Sequence, residues 1–143
     1  MTKQILTVAA ALVFTALAPV QSHAQQTTQA KVPFAFQVAD KTMPAGEYQI
    51  RRALPSSKAL QQIRRADMSA STFVFTNPTG KTEKNAEPKL IFHCYSSECF
   101  LSEIQTGSGE GMKLVVSRRE KELARGSSEN ELAVVSLPLT VTP

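Results

Sequence analysis

In "KVPFAFQVAD" the apolar residues Val32, Phe34, Phe36 and Val38 fall on every second position. A helix would scatter them round its surface, whereas a strand puts all four on one face. This period constrains the fold more than any other feature of the chain, because it recurs. "EYQIRR" carries it on through Tyr48 and Ile50, and "MPAG" (Met43–Gly46) places proline and glycine where a turn wants them. The two runs predict an opening hairpin with its loop around Asp40–Gly46. Pro33 donates no backbone hydrogen bond, so it marks a strand start or a sheet edge.

The later runs follow the same rule. "ALQQIRR" predicts a weaker strand and "STFVFT" (Ser71–Thr76) a stronger one, rich in aromatic and β-branched residues. "NPTGKTEKNAEP" holds two prolines, a glycine and several charges, the composition of a solvated loop. "KLIFHCY" and "ECFLSEI" form a central hairpin, "TGSGEG" a glycine-rich connection and "MKLVVS" another short apolar run. "SRREKELARG" is the one helical stretch: Ser117 and Glu120 fit a capping box, Arg125 sits in the last turn, and Gly126 supplies the stop. "ELAVVSLPLTV" reads as a last strand interrupted by Pro138. Strands spaced by turn signals, with a single short helix late, predict an all-β fold, either a small antiparallel sandwich or a partly open barrel. Its core is expected to draw on Phe34, Phe36, Tyr48, Ile50, Phe73, Phe75, Phe92, Leu101, Val115 and Val134.

The beginning of the chain has a different logic. Lys3 precedes an apolar run from Ile5 to Ala18, Pro19 ends any helix, and Ser22–Ala24 sets small residues at the two positions a signal peptidase reads. The run falls short of the roughly 20 residues that span a bilayer, which disfavours an uncleaved anchor. The expected organisation is a signal peptide over 1–24, a flexible leader over 25–30 ("QQTTQA", polar and without period) and a single β-rich domain over 31–143. No transmembrane segment is expected after cleavage, and the destination is the periplasm or the extracellular space. The processed chain keeps 119 of the 143 residues, enough for one core. Without Lys3 the sixteen basic residues become fifteen, against twelve acidic ones. That mild excess gives weak attraction to anionic surfaces and is no footprint of a nucleic-acid binder.

Both cysteines, Cys94 and Cys99, lie in "LIFHCYSSECFLSEI", beside His93. A two-residue turn at Ser96–Ser97 sets Tyr95 opposite Glu98 and Cys94 opposite Cys99. That pairing, in an exported chain, predicts a disulfide, with free packed thiols as the alternative. A structural zinc site wants four ligands, and two cysteines with one histidine fall short. His93 also points to the opposite face from Cys94, which disfavours a Cys–His catalytic pair. We therefore expect no metal site, no cofactor site and no catalytic residue here.

Other candidates meet plain readings. The pairs Arg51–Arg52 and Arg64–Arg65 lie in strands and must split across faces, while Arg118–Arg119 opens the helix, so solvated or ion-paired arginines are expected rather than one basic patch. Gly107, Gly109 and Gly111 do not fit a phosphate-loop spacing. Glu47, Glu98 and Glu103 are read as exposed strand residues, the relative facing of Glu98 and Glu103 being left open by their odd separation.

Three phrases, "VPFAFQVADKTMPAGEYQI", "LIFHCYSSECFLSEI" and "SRREKELA", resemble the small secreted β-rich proteins of unknown function found in Acidobacteria. The resemblance implies export and a common β fold and brings no assigned activity. Members of that group place a glycine-containing turn without cysteines in the central hairpin, which implies that Cys94 and Cys99 are a staple added to an existing turn. The leading functional expectation is a non-enzymatic module binding a protein partner or envelope component. A carrier of a small apolar ligand in a barrel-like cavity, and a carboxylate-dependent hydrolase, are the alternatives.

Overall fold

The computed structural model describes residues 27–83, 85–128 and 131–142; the expected signal peptide lies outside them. In chain order the elements are β1 (Thr27–Val32), β2 (Phe36–Val38), β3 (Lys41–Met43), β4 (Gly46–Leu54), β5 (Ser57–Arg65), β6 (Ser71–Lys81), β7 (Lys89–Tyr95), β8 (Glu98–Gln105), β9 (Glu110–Leu114), α1 (Arg118–Gly126), β10 (Leu132–Pro138) and β11 (Thr140–Thr142). The eleven strands make one mainly antiparallel sheet in the order β10-β7-β8-β9-β6-β5-β4-β1-β11, with the β2–β3 hairpin attached through a parallel contact between Gln37 and Phe100. Among the described residues the fold is mostly β with one short helix, as the alternation and turn spacing predict.

The ends of that order are consecutive pieces of one segment. β10 runs beside β7 until Pro138, which has no amide hydrogen to continue a ladder. Leu139 is buried and donates its backbone hydrogen to Pro88 at 2.9 Å. The chain then pairs with β1 as β11. The sheet thus wraps round until its two ends are joined by chain at Leu139.

The opening alternation is placed correctly, with different partners. Phe36, Val38, Tyr48 and Ile50 are buried, and Phe34 is half-buried. The expected hairpin is instead two nested pairings. β4 pairs with β1, Tyr48 opposite Ala30, and the chain between them folds into the side hairpin β2–β3, whose turn puts Ala39 at φ 52°. The "leader" reading of 25–30 is corrected from Thr27 onward. Thr28 and Ala30 are buried strand residues, and Thr28 tolerates burial because its hydroxyl donates to the Ile50 carbonyl at 2.9 Å. The expected loop is likewise shortened: Asn77–Lys81 extend β6 along β9, with an irregularity between Pro78 and Lys81.

At the centre Phe34, Phe92, Phe36 and Tyr48 form a chain of edge-to-face rings with centroids 5.1–5.4 Å apart. Val32, Val38, Met43, Ile63, Leu90 and Ile104 close round it, each at most 1% exposed. The Tyr48 hydroxyl donates to the Pro44 carbonyl, tying the MPAG turn to the core.

Leu101 joins this core as expected, but four expected members do not. Phe73 is 58%, Phe75 67%, Val115 59% and Val134 62% exposed. In β6 the opposite phase faces inward: Val74, against Gln61, and Thr76, whose hydroxyl donates to the Ala59 carbonyl at 3.1 Å. A threonine satisfied by backbone can occupy the inside, so the aromatic phase is free to face out. Val134 lies opposite His93, which must face outward because Cys94 faces the core.

Urea unfolding tests this assignment. Phe92→Ala should cost about 3–5 kcal/mol, as a buried ring leaving a cavity. Phe75→Ser should stay within about 0.5 kcal/mol of the parent.

Candidate functional site

Inward-facing positions change character along the strands. β4 passes from Tyr48 through Ile50 to Arg52, β5 from Ile63 through Gln61 to Ala59, β6 from Val74 through Thr76 to Pro78, and β1 from Val32 through Ala30 to Thr28. The interior therefore runs from a filled apolar centre to a polar mouth. At that mouth lies a cleft of 880 Å³. Thr28, Ile50, Gln61, Thr76 and Met112 line it from the strands, and the β8–β9 connection with the start of β9 closes one side with Thr106, Ser108 and Glu110.

The buried polar side chains of this lining are held by the backbone. Thr28 donates to Ile50, Thr76 to Ala59, and the Gln61 amide to the Lys58 carbonyl at 2.8 Å. Each of these side chains spends a hydrogen on the backbone and keeps an oxygen able to accept. Arg51, Arg52 and Lys58 supply three cations against the single carboxylate Glu110. Arg51 leans on Gln62 through its Nε at 2.6 Å. Arg52 has no side-chain hydrogen bond or ion pair among the described residues. Such a pocket offers an apolar wall, hydroxyl and amide acceptors, and a guanidinium without a partner.

The cysteine hairpin, where the sequence places a disulfide, has the predicted register. Tyr95 faces Glu98, Cys94 faces Cys99, and the two sulfurs are bonded across a Cα separation of 3.9 Å. The turn residue Ser96 sits at φ 49°, a left-handed conformation that favours glycine. A bulge opposite Ile91–Phe92 inserts a residue into β8, so that Leu101 faces the core while Glu98 and Glu103 both face outward. That settles their relative facing.

The helix docks on the outer face of this hairpin. Ser117 caps it by accepting from the Glu120 amide at 3.1 Å. Only half of the expected capping box forms, because the Glu120 carboxylate turns inward. It is buried, lies 3.4 Å from His93 Nδ1 and accepts from the Tyr95 hydroxyl at 3.4 Å. Tyr95 and Phe100 stack edge-on beneath it at 6.0 Å. Arg119 grips Glu98 with two hydrogen bonds, at 2.6 and 3.3 Å. The Glu98 carboxyl is held below the ordinary glutamate value by the bond from Arg119, and burial pushes the Tyr95 phenol up, Glu120 adding to the shift. His93 is thus spent on the helix, on the face away from the sulfurs. Among the described residues no three His, Cys, Asp or Glu side chains gather as a metal set. Sequence reasoning missed the Glu120 contact, since an acidic residue in a first helical turn satisfies a capping box equally well.

Replacing both cysteines by serine should lower stability by about 2 kcal/mol in urea, the loop-closure value for so short a ring. Ser96→Gly should raise it, because glycine takes a positive φ without steric cost. For Glu98 the folded carboxyl titrates below its ordinary value of 4.5, so its bond to Arg119 contributes stability above that pH and loses it as pH falls through the folded value. Glu98→Gln should therefore destabilise at neutral pH, and the difference from the parent should vanish in acid.

Comparison with protein families, with characterised proteins and with solved structures finds no match to this chain.

Proposed function

We propose that this chain is an exported, non-catalytic binding module that takes a small amphipathic anion into the mouth of its barrel. The single observation that carries the reading is Arg52, an inward-facing arginine with no partner among the described residues, at the rim of an 880 Å³ cleft walled by Ile50 and Met112. An anionic head would meet Arg52 and Lys58, and an apolar body would lie along Ile50, Met112 and Pro78. Burial against a shaped wall supplies affinity, and the charge-assisted bond fixes orientation. The signal-like N-terminus, and the resemblance of three phrases to small secreted β-rich proteins of Acidobacteria, favour the periplasm or extracellular space as its location.

The expected partner or envelope component narrows thereby to a small anionic molecule. Such a ligand is favoured over a purely apolar cargo, because the enclosed centre is occupied by Phe34, Phe36, Tyr48 and Phe92. Binding is also favoured over a carboxylate-dependent hydrolase, whose chemistry wants two carboxyl groups within about 10 Å; the lining of the cleft provides Glu110 alone.

Anilinonaphthalene sulfonate, an apolar ring system bearing one anionic group, is a suitable probe. Titration should show one saturable fluorescent site. Arg52→Ala should weaken it about tenfold, and Ala59→Trp, which fills the wall, should abolish it. Native mass spectrometry of freshly purified protein should also reveal a bound mass. Non-saturable fluorescence, or saturable binding indifferent to both substitutions, defeats the reading.

A further inference from the structure

The outer face of β5 and β6 has a composition the cleft does not use. Leu60 lies directly opposite Phe75, and Gln62 opposite Phe73. Thr76 pairs with Leu114, which brings Val115, the next residue, into the phase of Phe75. Phe73, Phe75 and Val115 are each more than half exposed. They form an apolar strip on the most strongly aromatic strand of the chain, turned to the outside.

The border of this strip is cationic. Arg51 sits across from Gln62 and bonds its side chain, Arg64 sits across from Ser71 and bonds Gln49 at 2.9 Å, and Lys41 reaches the Ser71 carbonyl at 2.7 Å. Every one of those partners is neutral, so three positive charges remain uncompensated beside the two phenylalanines. Two acids of the same face have other neighbours: Glu47 lies opposite Lys31, and Glu103 lies opposite Lys113 and accepts from Gln105.

We infer that this face docks on the surface of an anionic phospholipid bilayer, with Phe73 and Phe75 entering the interface and Lys41, Arg51 and Arg64 meeting lipid phosphates. Aromatic rings favour the headgroup boundary, and basic side chains add attraction to anionic lipid that salt screens. The same charges argue against a second copy of this chain as the occupant. A two-fold interface sets each patch against its own image, and here cations would meet cations. Neither Arg52 nor the interior takes part; of the three cations Arg51 alone also borders the cleft, so Lys41 and Arg64 are the pair that separates this docking from a ligand there.

Vesicle co-sedimentation tests it on the chain from Gln25 onward, which carries every strand found among the described residues. Vesicles in which one lipid in three is phosphatidylglycerol should bring the protein down, and pure phosphatidylcholine should not. Phe73→Ser with Phe75→Ser, and separately Lys41→Gln with Arg64→Gln, should each weaken binding about tenfold, and raised salt should weaken it further. The chain contains no tryptophan, so Phe75→Trp makes a unique reporter, readable even if a double variant fails to fold. Its indole emission should shift to the blue on anionic vesicles and stay put on neutral ones. Absence of sedimentation, binding unaffected by the phenylalanine pair, an unshifted emission from the Phe75→Trp variant, or concentration-dependent self-association through this face without lipid would each overturn the proposal. Arg52→Ala should leave vesicle binding unchanged, so the cleft and the face fail or stand separately.

Discussion

A strand that has lost one amide hydrogen holds this sheet together. Pro138 cannot extend the ladder with β7, and the next residue, Leu139, is drawn into the core while its amide bonds Pro88. The chain changes partner there and finishes against β1. Without that switch β1 would be left as an edge strand, offering unpaired backbone groups to other chains. With it, β1 gains a neighbour on both sides, and the inward residues of all the strands face one shared interior. The interruption that makes the last strand look weak in sequence is thus what lets one segment serve both ends of the sheet.

Because the sheet curves round one core, a position along a strand becomes a depth in its interior. The aromatic chain through Phe92 and Phe36 fills one level, and apolar side chains such as Ile63 and Ile104 close round it. Toward the mouth the strands substitute threonine and glutamine, which stay inside only because the backbone accepts their hydrogens. Burying such groups without partners would cost several kcal/mol in total. The interior polarity gradient is therefore built into the strands, and the cleft is where that gradient meets solvent.

Much of this is legible in the alternation. Phe36, Val38, Tyr48 and Ile50 announce their face, and the spacing of Cys94 and Cys99 announces the turn and its staple. What the sequence hides has one physical root. Alternation gives the period of a strand but not which phase points inward when both phases carry residues able to be buried. In "STFVFT" the threonine and valine phase goes in and the phenylalanines out, because Thr76 finds a backbone acceptor at Ala59. Thr28 misleads for the same reason, making a buried strand look like a polar leader. Glu120 is hidden differently: its local role and its tertiary role use different atoms, the amide toward Ser117 and the carboxylate toward His93 and Tyr95.

The same alternation turns adjacent arginines into separate instruments. Arg51 faces out, braced by Gln62 among the exposed phenylalanines, while Arg52 faces in toward the mouth. One pair of like charges, side by side in sequence, is thereby divided between two surfaces. Repulsion between the two is reduced by the division, because the side chains diverge across the sheet. A face that meets lipid and a mouth that takes an anion would then share a strand, with Arg51 at the border of the two. Arg51 also borders the cleft, so a bilayer held at that face would lie against one edge of the opening. On this geometry the strand β4 is the hinge of the molecule's chemistry, and a single-residue slip in its register would exchange the roles of the two arginines and disable both surfaces together.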